Sequence, residues 1–255
     1  MRLPIDEINK RAIPYKEYFD VMNISEKQKK ERITFAERLE DDLLLIYMLF
    51  ATLSDYSVTD DNLIIQELQR AYLNAVMQSG VGIDDYISEV ALNFATDFVT
   101  TTRKHLKLEV GQKIPTENGI AVITAIVGTN VILNEYVNGV LTDTAQVSYS
   151  DVIRSTSDSW YISDDRVAFN AENEANTVMN YKDFTEASKK YKYKTWLTEN
   201  DSRVRDTHMP LEGVTIPVND TFVVGNTLMR YPKDIEYAAD SPEEIVGCRC
   251  SIKYS

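Results

Sequence analysis

The residues best suited to chemistry gather near the C-terminal end. Cys248 and Cys250, the two cysteines of the chain, flank Arg249 in a C-x-C. A disulfide across one intervening residue is strained, so the pair is not expected to staple the fold. Thiolate and imidazole donors are what zinc takes in tetrahedral coordination. His208 would join the two thiols if the fold carried it to them, and Asp201 or Asp206 would complete the set. The spacing is not that of a C-x-x-C knuckle, and a buried cysteine also serves as a small apolar side chain. A zinc centre at His208, Cys248 and Cys250 and a metal-free structural corner both stay open.

Upstream of His208, Asp201, Arg203 and Arg205 alternate acid and base. An arginine fork suits bidentate capture of an anion or carboxylate. The plainer reading is an internal salt bridge from Asp201 or Glu172 to Arg205 that pins the loop. Arg249, between two cysteines, reads as a buried partner for a carboxylate. His208 would serve as a general base, but no serine or cysteine nucleophile stands beside it in a recognisable motif. A Cys248–His208 pair lacks an evident group to orient the imidazole. Trp196 reads as a core anchor, and His105 as a solvated residue where helix gives way to strand. Lys182, Lys189, Lys190, Lys192 and Lys194 form one basic cluster interleaved with Tyr191 and Tyr193. Its readings are a solvated helix end or a DNA contact at Lys189, Lys190, Lys192 and Lys194.

Three textures must position these residues. From Pro14 to Leu106 the apolar spacing is helical. Ser25 with Gln28 suggests a capping box, and Ile33, Leu39, Leu43, Ile46, Tyr47 and Phe50 follow it. Thr59-Asp60-Asp61 opens a second helix with Leu63, Ile64, Leu68, Ala71, Tyr72 and Ala75 on one face. A third begins near Asp84 and carries Ile87, Val90, Ala91, Phe94 and Phe98. The apolar run Leu43–Phe50 suits either core or a face for a partner. Between Leu106 and Ile153, runs rich in Val, Ile and Thr are punctuated by Asn118-Gly119, Gly128-Thr129-Asn130 and Asn138-Gly139. These predict a barrel-like antiparallel meander with strands at 120–127, 131–137 and 140–147. From Asp164 to Tyr193 the pattern returns to helix, with Val167, Ala171, Ala175, Val178 and Met179 on one face. Strand-like sequence follows.

The expected fold is α+β, in three parts: a helical region over 1–105, a β-rich insert over 106–160 and an α+β domain over 161–255. The charge balance is acidic, 27 Lys+Arg against 40 Asp+Glu for a net of -13. That opposes sequence-independent coating of DNA, which needs a positive footprint. No run is long and apolar enough for a membrane span, and no secretory leader is visible.

The order of motifs in the last third is similar to a known family. Lys194-Thr195-Trp196 precedes Asp201-Ser202-Arg203-Val204-Arg205-Asp206-Thr207-His208. Then come Gly213, Phe222, Tyr231-Pro232 and Cys248-Arg249-Cys250. This series resembles the Mu F-like head-morphogenesis domain of minor head proteins from tailed bacteriophages. Two positions depart from the family pattern. Asn170-Ala171-Glu172 stands where an R-T-E-like triplet is usual, and Gly247 stands where Asn is common. The resemblance implies a non-enzymatic minor capsid protein of the virion, in the head interior or at the portal vertex. Its expected partners are the portal protein, the major capsid protein or both, with genomic DNA as a further candidate and several copies per virion. Trp196, Asp201, Arg205, His208, Gly213, Cys248, Arg249 and Cys250 would be its structural motif. No toxin domain is expected to follow Cys250. The alternatives are a DNA-binding packaging factor, or a degenerate enzyme using Glu172, Arg205 and His208.

Overall fold

A computed structural model describes residues 1–3, 15–52, 58–156 and 158–255; side chains at 15–17, 47–52, 58–60, 159 and 162 lie outside that description. Helices α1 (Tyr15–Asp20), α2 (Glu26–Thr52), α3 (Val58–Gln78) and α4 (Asp85–Leu106) come first. The expected capping box opens α2: Ser25 N donates to Gln28 Oε1 at 3.0 Å, and Gln28 N donates to Ser25 Oγ at 3.3 Å. Two of the helix's otherwise unpaired donors are thereby satisfied. Asp84 does the same for α4 through Ile87 N at 2.9 Å.

The buried stripe of α2 is Arg32, Phe35, Ala36, Leu39, Leu43 and Ile46. Its first member is an arginine where Ile33 was expected, because Arg32 finds polar partners inside, described below. Leu63 is exposed and does not serve the core expected of it, and Leu45, within the apolar run left open between core and partner face, is exposed too. At about 100° per residue, Ile64 already occupies the inward position beside Leu63. Phe94 is only half-buried and leans on Tyr72 and Phe98, with ring centroids 5.4 and 5.7 Å away. The Tyr47–Phe50 part of the apolar run falls outside the described side chains.

Strands β1 (Lys113–Pro115), β2 (Ile120–Val127), β3 (Asn130–Val137) and β4 (Val140–Ser148) form an antiparallel sheet in the order β1-β2-β3-β4. The sheet is an open meander; β1 and β4 are its two edges, so the expected barrel-like closure is absent among the described residues. Asn138 and Gly139 turn β3 into β4 at φ 51° and 79°, the paired left-handed conformation that matches strand twist. Ile114, Ala121, Ile123, Val131 and Leu133 point inward.

Next come α5 (Tyr149–Arg154), a 3-10 turn at Ser159–Ile162, and α6 (Asp164–Ala187). Val167, Ala171, Ala175, Val178 and Met179 are fully buried along α6, as their spacing predicts. The helix stops six residues before Tyr193, which starts β5 (Tyr193–Leu197). Lys192 N and Tyr193 N donate instead to Ser255 O at 3.1 and 2.9 Å. Pairing with the chain end overrides the local helical preference. The remaining elements are β6 (Thr215–Pro217), β7 (Phe222–Val224), β8 (Thr227–Met229), α7 (Pro242–Ile245) and β9 (Ser251–Tyr254). They form a three-stranded sheet β6-β5-β9 and a hairpin β7-β8. The architecture is α+β.

The chain makes two compact units, and neither is a continuous stretch. One comprises Met1–Ala12, Glu40–Leu73 and Ser88–Val167; the other comprises Ile13–Leu39, Asn74–Ile87 and Ala168–Ser255. The first unit holds the four-stranded meander. The second has a core of Trp196, Phe222, Val224, Met229, Tyr231, Ala238, Ile245, Cys248, Cys250 and Ile252. Within it Arg32 is fully buried beside α6. It donates to Asn176 Oδ1 at 3.0 Å and Asn180 Oδ1 at 2.9 Å and reaches Asp183 Oδ2 at 3.4 Å.

Candidate functional site

Strand β5 is the foundation of the site. Its period of two turns Lys194 and Trp196 to the same buried face. Trp196 meets His208 edge-on at 5.7 Å and Phe222 at 5.1 Å between ring centroids. The segment after β5 turns back through Val204 N to Asp201 O and His208 N to Arg205 O, and delivers His208 to the core. The cysteines arrive from the other end of the domain. Cys248 follows α7, and Cys250 immediately precedes β9, which pairs with β5.

The three donor residues meet. His208 Nδ1 lies 3.4 Å from Cys250 Sγ and 3.6 Å from Cys248 Sγ. All three ligand atoms fall within 4.8 Å of one another, and His208 and both cysteines are buried. The other ring nitrogen, Nε2, is 3.0 Å from Glu244 Oε2, which also accepts from Thr207 Oγ1 at 2.7 Å. Gly225 lets this carboxylate sit where it does. A Cβ there would stand 2.4 Å from Glu244 Oε1, and its φ of +57° disfavours any side chain. The corner borders a narrow cleft, lined also by Glu199, Arg203, Arg205 and Gly247.

Charge at this corner is shared. Hydrogen bonding from Cys250 and the adjacent imidazole hold the Cys248 thiol well below its usual range, against the opposing effect of burial. The same contact with Cys248, together with burial, pushes the Cys250 thiol up. Burial opposes a charge on His208, but the Cys248 sulfur and more weakly Glu244 outweigh it, and the imidazole pKa rises. The set has the donors for a soft divalent cation. It also has the parts of a thiolate–imidazolium pair, with Glu244 as the orienting group that sequence alone did not reveal.

The neighbouring ion pairs differ from those expected. Asp201 pairs with Arg249, whose Nη2 donates to its two carboxylate oxygens at 2.6 and 2.8 Å. Arg205 instead donates to the carbonyl of Val246. The expected Asp201–Arg205 bridge is therefore replaced, while Arg249 does take a carboxylate. The acid that meets His208 is Glu244, not Glu172, which lies buried in α6. Neither Asp201 nor Asp206 joins the metal-ligand group: Asp201 is engaged by Arg249 and Asp206 is exposed. Gly213 adopts φ +73° and donates its N–H to Trp196 O at 2.9 Å.

The basic cluster is divided. Lys189, Lys190 and Lys192 are exposed, whereas Lys182 pairs with Glu31 at 2.8 Å. Lys194 is fully buried, so it is no candidate for DNA contact. It donates to Asp220 O at 2.5 Å between the rings of Phe184 and Phe222, and burial lowers its pKa to about 8. His105, expected in solvent, is half-buried: it stacks on Tyr161 at 3.7 Å and bonds Asp158 Oδ1 at 2.9 Å. Lys233 carried no sequence signal beyond its place after Tyr231-Pro232. It is fully buried, donates to Asn173 Oδ1 and to Ile245 O, and has a pKa lowered by burial to about 8.

Residues 130–253 match the family described as Phage Mu protein F like protein. No curated protein and no solved structure matches the chain.

Proposed function

We propose, from the match of residues 130–253 to the Mu F-like family of phage head-morphogenesis proteins, that this chain is a minor head protein that docks on the portal or major capsid subunits from the head interior. The observation that carries this reading is the family match, which spans both segments that build the His208–Cys248–Cys250 corner. His208 uses one ring nitrogen on Glu244 and turns the other to the two sulfurs, so the histidine ties both segments of the corner together. The Arg249–Asp201 ion pair, in which Nη2 donates to both carboxylate oxygens, cross-ties the two segments, as a rigid docking module requires. Among the described residues no helix is long and apolar enough to cross a membrane.

Affinity-tagged protein should be co-produced with the portal and major capsid proteins of the same phage and recovered from procapsids. Co-purification with the portal or the capsid shell at fixed stoichiometry is the expected result. Recovery of the tagged chain free of both, with procapsids assembled normally in its absence, would overturn the reading.

A second reading, contact with packaged DNA, draws on the exposed Lys189, Lys190 and Lys192 beside exposed Tyr191 and Tyr193. Such contact predicts DNA retention that falls steeply with salt and weakens further when Lys189 and Lys190 are changed to Glu. Retention that is flat across salt sinks it.

A further inference from the structure

We infer that His208, Cys248 and Cys250 bind one zinc ion, with the fourth coordination position facing the adjoining cleft. Three independent features of the corner lead there. The first is its dimensions. Tetrahedral zinc with a nitrogen donor at about 2.0–2.1 Å and sulfur donors at about 2.3 Å places nitrogen and sulfur about 3.6 Å apart. The observed Nδ1-to-sulfur distances are 3.4 and 3.6 Å. A neutral imidazole has one proton at most on Nδ1 and would hydrogen-bond one sulfur. Near-equal distances to two sulfurs are what a cation shared by all three donors produces.

The second feature is the far side of the ring. Metal-ligating histidines donate their other N–H to a carboxylate or carbonyl, which sets the tautomer and aims the lone pair at the metal. Glu244 occupies that place 3.0 Å from Nε2 and is itself held by Thr207 Oγ1. The third is bracing. Arg249, between the two cysteines, grips both oxygens of Asp201 in the segment that leads to His208. The C-x-C and the histidine are thus held in register before any ion arrives, which lowers the cost of ordering the site on binding.

Charge and access favour the same occupant. Two thiolates and a neutral imidazole around a divalent cation sum to zero, a balance suited to residues this deeply buried. A nucleophilic thiolate needs its sulfur open to substrate, whereas Cys248 is 2% exposed. The narrow cleft lined by Glu199, Arg203 and Arg205 adjoins the three donors and is the side from which a fourth ligand would come.

This inference does not depend on head assembly, since it is read on the purified chain. The full-length protein is produced with zinc in the medium, purified under reducing conditions, and its metal measured by elemental analysis. One zinc per chain is expected. Cobalt exchanged into the site should show intense thiolate-to-metal absorption that disappears in the Cys248→Ser/Cys250→Ser double variant. Glu244→Gln, which weakens the orienting contact while keeping an acceptor oxygen, should weaken zinc affinity about 10–100-fold. Wild-type protein that is folded by circular dichroism yet takes up no metal from excess zinc overturns the inference. So does zinc that persists at one per chain in the double variant. Rapid alkylation of Cys248, unchanged by added zinc, counts against it equally and points to a free nucleophile.

Discussion

Glu244 Oε2 lies 3.0 Å from His208 Nε2, and this contact decides which imidazole nitrogen faces the sulfurs. The carboxylate accepts a hydrogen bond from Nε2–H, so Nδ1 is the nitrogen presented to Cys248 and Cys250. Glu244→Ala removes the acceptor for two donors, His208 Nε2 and Thr207 Oγ1. Stranding them in a buried corner is expected to cost about 1–3 kcal/mol, read as a lower urea midpoint with an unchanged slope. Glu244→Gln keeps one acceptor oxygen and should cost less. Equal stability of wild type and Glu244→Ala would show that the contact contributes nothing.

Gly225→Ala tests the same contact from outside. The new Cβ would meet Glu244 Oε1 at 2.4 Å in a backbone held at φ +57°. The left-handed conformation alone is expected to cost about 1–2 kcal/mol, and displacement of the carboxylate should change the His208 tautomer seen by NMR. An unshifted His208 signal would mean that Glu244 moves aside without releasing the ring.

The Asp201–Arg249 pair sets an acid-side dependence. Hydrogen bonds from Arg249 pull the Asp201 carboxyl down to about 2, from an ordinary 3.8. A carboxyl whose folded pKa is depressed binds its proton more readily when unfolded. Its stabilising contribution is therefore complete above about pH 4 and is lost as pH falls from there toward 2. Asp201 is partly solvated, so screening reduces the contribution to about 1 kcal/mol or less. Asp201→Asn should flatten this part of the stability profile and leave the neutral-to-alkaline part unchanged.

Lys233 adds a dependence of the same sign at high pH. Its amine is buried, and its pKa falls from 10.5 to about 8. Between those values the unfolded chain binds the extra proton, so stability rises as pH increases from 8 toward 10. About 1–2 kcal/mol of that rise should vanish in Lys233→Met, followed by urea unfolding at successive pH values. Lys194, lowered to about 8 by burial, keeps its own share, which makes the double variant with Lys194→Met flatter still.

Arg32 tests the helical part of the same unit. It is fully buried and shared among Asn176, Asn180 and Asp183. Arg32→Ala leaves those groups without their donor and is expected to cost about 3–5 kcal/mol, seen as a large fall in the thermal midpoint. Arg32→Lys reaches fewer of the three acceptors and should recover only part of the loss.

The amino-acid sequence by itself determined whatever depends on neighbours in the chain. Ser25 and Gln28 announce the start of α2, because the reciprocal cap needs only residues three apart. Asn138-Gly139 announces a hairpin, because the turn needs two residues that tolerate positive φ. The alternating burial of β3 and the apolar face of α6 follow from period alone. The ordered series from Trp196 to Cys250 was enough for the family resemblance, and the match over residues 130–253 upholds it.

Only the tertiary structure decided the pairings between distant residues. Arg205 was the evident partner for Asp201 by proximity in sequence, yet Arg249, 48 residues away, takes the carboxylate. Glu244 has no spacing that ties it to His208, and they meet because α7 packs behind the turn that carries the histidine. Lys194 read as part of a basic surface cluster, and the β5 pleat turned it into the core with Trp196. Local composition specifies turns, caps and amphipathic faces, since their energies are local. Which charged group is buried, and against which partner, depends on segments that become neighbours only when the chain folds.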